Sequence, residues 1–289
     1  MKRNFAAIMM AMLCIWALLP ASAMAQTGCK PPEGIKLVTP GVLTVTTNPT
    51  SPPLQYIDEQ GNIVGMDIDL GRMIAAKLCL PIKYIASEFA TMIPSLKDGR
   101  YDMIDTFMYY TPERAQQITM IPYGAATVSI VMQAGTTGGK TLAEFSRKRL
   151  ATQLGSVDDV NARKVDMDLR AAGKPGIDIH TFPNYSDLLQ ALSGGQVDGA
   201  IISTDGAFYY RSKGMTFFRI AATGLYPHLE TIGFADPVLA EKAAAALDAL
   251  KMDGSYDKLL SKFHHCALPG PFKVSHGPLP DPVCPQQAE

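Results

Sequence analysis

Two stretches of this chain are punctuated alike, and that repetition constrains its fold more than any other feature. Ile93-Pro94-Ser95-Leu96-Lys97-Asp98-Gly99-Arg100-Tyr101-Asp102 and the run from Leu188 to Asp198 each read as a helix that ends in Gly and feeds a strand through an Asp. Strand-like and helix-like patterns alternate around both. In the first set, residues 42–46 predict a buried strand, 67–80 a helix stopped by Pro81, 82–85 a strand, 92–98 a short helix, and Met103 opens a third strand. After a Gly-rich break at residues 135–139, the second set predicts strands at 150–153, 177–181 and 197–202, with helices at 158–171 and 185–193. Such alternation predicts an α/β architecture of two similar lobes, each with a mostly parallel sheet flanked by helices. Helices at 240–249 and 257–263 follow. Beyond them Pro269, Pro271, Pro278, Pro280, Pro282 and Pro285 predict a tail without regular structure, a tether or mobile end.

The compartment is read from the first residues. Lys2 and Arg3 precede an apolar run from Phe5 to Pro20, too short to span a bilayer, and Ala23 and Ala25 supply the small residues of a cleavage site. This predicts a secretory signal peptide over residues 1–25, cut before Gln26, and a periplasmic mature protein. Of five cysteines, Cys14 leaves with that leader. The remaining Cys29, Cys79, Cys266 and Cys284 predict disulfides in an exported chain. Three connectivities are open. Cys266–Cys284, closing the Pro-rich tail, and Cys29–Cys79, tying the N-terminal arm to the first helix, are favoured. No CxxC spacing favours a metal, and no cofactor is expected. With 26 basic against 27 acidic residues the chain has no cationic surplus for phosphates, which argues against nucleic acid.

One motif predicts an anion site from its residues alone. Thr111 suits a helix N-cap, Pro112 the first helical position and Glu113 the positive end of the helix dipole. Arg114 then sits in a first helical turn directly after a strand, where its planar fork suits a carboxylate. A surface arginine on an ordinary helix is the plainer reading of the same residues.

Gly65-Met66-Asp67-Ile68-Asp69-Leu70, followed by Ile74-Ala75 and Leu78, resembles the signature of family 3 extracellular solute-binding proteins, the periplasmic receptors of polar amino-acid ABC transporters. Met66 departs from the aromatic or aliphatic residue usual there. The stretch from Ile93 to Asp102, Thr111-Pro112-Glu113-Arg114, and the run from Leu250 to Phe263 look like the same family, so the resemblance covers about residues 38 to 263. It implies the type II periplasmic binding protein fold. Lobe 1 takes residues 34–128 and returns over 227–263, lobe 2 takes 129–226, two crossover strands form the hinge, and 264–289 is the tail. It also implies a monomer that closes on its ligand and is then recognised by an integral-membrane permease.

The resemblance places Arg114 at the ligand carboxylate, with Thr106, Phe107 and Tyr109 lining the cleft and Met92 counted with them. Phe107 and Tyr109 stand where small residues are usual, which implies a narrowed or ring-stacking pocket. Ser51 replaces the usual stacking aromatic, and Asn48 takes a polar lining position. Gly155-Ser156-Val157 matches a carboxylate-holding loop, although Val157 lacks a hydroxyl. Ser203 replaces the Asp that pairs the ligand ammonium, with Asp205 two residues on as its substitute after a loop rearrangement. The expected function is therefore capture of a small carboxylate-bearing solute, an organic acid or atypical amino acid, with no catalytic residue. The alternative is a cyclohexadienyl dehydratase-like enzyme on the same fold, for which Asp105, Asp205 and Glu230 are the available acids.

Overall fold

The computed structural model describes residues 29–283; the predicted leader and Cys284 lie outside them. The first βα set is β1 (Leu43–Thr47), a small hairpin sheet of β2 (Thr50–Ser51), β3 (Gln55–Ile57) and β4 (Ile63–Val64), then α1 (Met66–Lys77), β5 (Ile82–Ala86), α2 (Met92–Lys97) and β6 (Met103–Tyr109). Every residue of β1 and β6 is buried, as strands covered on both faces require. A short helix α3 (Pro112–Ala115) leads into β7 (Thr119–Gln133). The second set is β8 (Arg149–Gln153), α4 (Val157–Ala171), β9 (Asp178–Phe182), α5 (Tyr185–Ser193), β10 (Gly199–Ser203) and α6 (Thr204–Ser212). The long β11 (Phe218–Phe234), α7 (Pro237–Met252), α8 (Ser255–Lys262) and the two-residue β12 (Cys266–Ala267) complete the order.

One large sheet runs β5-β1-β6-β11-β7-β10-β8-β9, with β12 on β7. Its two wings are parallel within themselves: β1 pairs β5 and β6, while β8 pairs β9 and β10. They meet across β7 and β11, an antiparallel pair long enough to belong to both. The last residues of β11 join β6 on one edge and the first residues of β7 on the other, and the last residues of β7 join β10. Register breaks cluster between Ile220 and Thr231, where the strands pass from one wing to the other. Bulges of this kind twist a ladder sharply.

The repeated sequence pattern has a structural basis. Asp102 accepts the Thr44 N–H and the Val38 N–H, each at 2.7 Å, stitching β6 to β1. Asp198 does the equivalent work in the other wing, accepting the Arg149 N–H at 2.8 Å at the start of β8. Each acid satisfies a backbone donor where a helix–Gly–strand passage enters its sheet. Gly65 is needed for a different reason: at φ 132° it opens α1, and a β-carbon there would run into the Leu54 carbonyl.

Cys29 and Cys79 are joined by a disulfide with Cα atoms 5.6 Å apart, as the favoured connectivity requires. The Cys266–Cys284 pairing falls partly outside the described residues. The tail departs from its expectation as a tether. Residues 266–283 fold back over the first wing: Phe272 buries its ring 5.0 Å from Tyr256, Ser275 donates its N–H to the Met120 carbonyl at 2.9 Å, and the Tyr110 hydroxyl donates to the Gly277 carbonyl at 2.5 Å. Proline forbids helix and ladder here but not docking through aromatic anchors and carbonyls. Among the described residues no helix is long and apolar enough to cross a membrane.

Candidate functional site

The helix α3 begins as its motif predicts. Thr111 is extended and its Oγ1 accepts the Arg114 N–H at 3.2 Å, and Pro112 fills a position that needs no N–H. This start turns Arg114 inward. Its Nη1 donates to the Tyr109 carbonyl at 2.7 Å, its Nη2 to the Gly155 carbonyl at 3.0 Å, and the guanidinium carbon lies 5.3 Å from the centre of the Phe89 ring. Tyr109 ends β6 in one wing and Gly155 follows β8 in the other, so one cation ties the two. Burial lowers its pKa to about 10, with Asp158 pulling the other way, and the group stays charged at neutral pH. The described residues occupy two of its five N–H donors.

Beside Arg114 lies a cavity of about 10 Å³, room for about one water. The first wing lines it with Phe89, Phe107, Tyr109 and Arg114, the second with Gln153, Ser156, Val157, Asp158 and Tyr185. Two larger hollows, of about 410 and 520 Å³, are lined by the first wing and the tail alone, so neither contacts both wings. The wings also touch through polar groups around this cavity. Gln153 Nε2 donates to Asn48 Oδ1 at 3.4 Å, and the Tyr185 N–H donates to Thr50 Oγ1 at 3.2 Å.

Of the residues singled out from the sequence, Arg114, Phe107, Tyr109, Ser156 and Val157 meet in this cavity. Ser156 is also the N-cap of α4, its Oγ accepting the Asp159 N–H at 3.1 Å. Thr106 and Asn48 form the polar floor behind it: Thr106 Oγ1 accepts the Asn48 N–H at 2.9 Å, and Asn48 Nδ2 donates to the Ser87 carbonyl. Ser51 is buried in the hairpin sheet and Met92 in the core with Leu96 and Ile104, away from the cavity lining. Ser203 is occupied as the N-cap of α6, accepting the Gly206 N–H at 3.1 Å. Asp205 faces His265 instead of the cavity, with 3.3 Å between Oδ2 and Nδ1. His265 meets Glu230 on its other side at 2.5 Å, and all three are buried. The remaining acid, Asp105, accepts the Tyr84 hydroxyl at 2.6 Å beneath α1.

Phe89, Gln153, Asp158 and Tyr185 were not foreseen. The aromatic pair is set by tertiary contact: Phe107 lies 5.4 Å edge-on from Tyr109 and 6.0 Å from Tyr185. Phe107 reaches the cavity through a bulge, since β11 pairs Met108 with Thr231 but Ile104 with Gly233, and its φ of 43° is uncommon for an aromatic residue. Asp158 had one available signal, its place directly after the Gly-Ser-Val loop. It is 2% exposed, and burial pushes its carboxyl up to about 7 while Arg114 opposes the rise. Its Oδ1 and the Tyr109 hydroxyl have no hydrogen-bond partner among the described residues.

Known proteins carry the same plan. The E. coli K12 protein named ABC transporter arginine-binding protein 1 is 27% identical over 224 residues, spanning 73% of this chain and 85% of its own length. A solved ancestral arginine-binding protein bound to arginine superposes with a TM-score of 0.72 at 32% identity, over 77% of this chain and 98% of the other. An ancestral amino acid-binding protein described as a precursor of cyclohexadienyl dehydratase shares the fold at a TM-score of 0.67 and 24% identity, over 77% and 95% of the two chains. The two-lobed α/β plan and a cavity lined from both wings therefore go with a sequence that matches one family model over residues 43–265, and the chain belongs to the bacterial extracellular solute-binding proteins, family 3.

Proposed function

We propose that this chain is the periplasmic substrate-binding component of an ABC importer, capturing a small carboxylate-bearing solute by hinge closure. In this reading lobe 1 takes residues 34–128 and 227–263, and lobe 2 takes 129–226, hinged at β7 and β11. The leader over residues 1–25 directs export and is then cleaved before Gln26. One observation carries the proposal: Arg114, a half-buried cation with donors to spare, faces a cavity whose walls come from both wings. A ligand there gains contacts to both lobes only when they close, and that difference in affinity drives closure. Relatives named for arginine make amino acids the first solutes to try. The aromatic walls of Phe89, Phe107, Tyr109 and Tyr185 favour a solute with flat or aliphatic surface next to its carboxylate.

The test is a thermal-shift and calorimetric panel of the twenty amino acids and common organic acids on the mature protein. A true ligand raises the melting temperature with concentration, as mass action requires. Its carboxamide should lose most of the affinity. A panel in which no carboxylate-bearing solute binds, or in which acid and amide bind alike, would falsify this reading.

A further inference from the structure

We infer that Asp158 and the Tyr109 hydroxyl form a subsite for a cationic nitrogen of the ligand, beside the Arg114 carboxylate subsite. The inference rests on the proposed binding reading and deepens it. Two acceptors line the same closed space, both buried, neither with a hydrogen-bond partner among the described residues. Leaving a carboxylate oxygen unsatisfied in the interior is costly, so its position calls for a donor that arrives from outside. The donor must also be positive. Arg114 feels the Asp158 charge and lines the same cavity, but no ion pair joins them, so neither neutralises the other directly. The cavity as it stands holds about one water, so a zwitterion enters as the wings part: its carboxylate turns to the guanidinium and its ammonium to Asp158, with the rings of Phe107 and Tyr185 walling the cation.

The two residues expected to supply this function are otherwise engaged. Ser203 caps α6 and Asp205 faces His265. Asp158 is thus the acid in position, reached from the second residue of α4 instead of from the end of β10. The helix N-terminus favours its ionised form, while burial disfavours that form strongly enough to hold the carboxyl near 7. Arrival of a cation reverses the balance. Binding then expels a proton from Asp158 at mildly acid pH.

The experiment uses the mature protein and Asp158→Asn, an isosteric change that removes the charge without emptying space. The amino acid that binds the wild type in the panel is compared with its des-amino analogue and, for a basic amino acid, with an uncharged side-chain isostere such as citrulline for arginine. The wild type should prefer the amino acid to the analogue lacking the relevant nitrogen by about 10- to 100-fold, the range of one charged hydrogen bond. Asp158→Asn should abolish that preference and leave the affinity for the analogue within a few-fold. Whichever analogue matches the variant's loss identifies the α-amino group or the side chain as the cation. Calorimetry in buffers of different ionisation enthalpy at pH 6.5 should detect proton release in the wild type and none in the variant. The inference is overturned if Asp158→Asn keeps the preference, if no proton is released, or if only solutes without a cationic nitrogen bind. If no carboxylate binds at all, the proposed function falls first and this subsite with it.

Discussion

Replacing His265 tests how the two wings are held together. Its imidazole is fully buried between Glu230, at 2.5 Å on β11, and Asp205, at 3.3 Å at the start of α6, so one ring joins elements of both wings. Burial alone would lower its pKa. The carboxylates of Glu230 and Asp205 more than reverse that and hold it well above the ordinary value. In His265→Gln the cation disappears and two buried acids lose their counter-charge. Removing one partner of a buried pair costs roughly 3–5 kcal/mol, because the charge left behind is uncompensated. For a chain of this size that is a fall in melting temperature of roughly 6–20 °C. Urea unfolding at pH 7 and calorimetry measure it, and Glu230→Gln added to the first change should recover part of the loss. The pH dependence has a definite sign. A raised histidine pKa contributes stability that is complete below the unfolded value near 6.5 and disappears as pH rises through the folded one. The gap between wild type and His265→Gln should therefore narrow as pH rises above neutrality. A variant within 1 kcal/mol of the wild type, or a gap that widens with pH, refutes the reasoning.

Arg114→Met should lower the affinity for a carboxylate ligand about 100-fold or more in calorimetry, since it removes a half-buried cation and its links to Tyr109 and Gly155; an unchanged affinity counts against the site. Asp105 and Asp158 both have carboxyls raised to about 7, so each contributes stability that is present below the unfolded carboxylate pKa near 4 and lost as pH rises to 7. The unfolding free energy of the ligand-free protein should fall over that window on their account, and Asp105→Asn should flatten the slope; an unaltered slope in urea titrations would contradict the assignment. Breaking Cys29–Cys79, whose cysteines are 50 residues apart, should cost roughly 4 kcal/mol by loop-closure entropy, read as a lower urea midpoint in Cys29→Ser/Cys79→Ser. An equal midpoint would mean that the arm contributes nothing to the unfolded-state constraint.

Much of the architecture is local, and local features are legible. The helix α5 runs from Tyr185 to Ser193 as its pattern predicts, because an Asn184 cap and a Gly194 stop lie in the same short window as its apolar face. The same holds for Thr111-Pro112 before Arg114, and for the paired Asp102 and Asp198, whose work at the strand entrances is already implied by their repeated setting. The length of β7 and β11 was legible only in part. The resemblance places the lobe crossings near residues 128 and 227, whereas the strands extend over Thr119–Gln133 and Phe218–Phe234 by pairing with each other.

The site was decided by contacts between distant segments. No window around Asp205 contains His265, so only the fold could turn that acid away from the cavity. No window around Phe107 announces the bulge against β11 that brings both Phe107 and Tyr109 to one space while Thr106 joins the floor behind. The docking of the tail likewise depends on Tyr256 and Met120, far from Phe272 and Ser275 in the chain. Periodicity, capping and breakers act over a few residues, so the order of strands and helices, the helix start before Arg114 and the family motifs were already determined by the sequence. Which acid meets the cavity depends on how two wings pack across β7 and β11, and burial there, not residue type, left Asp158 in the position that Ser203 and Asp205 do not fill.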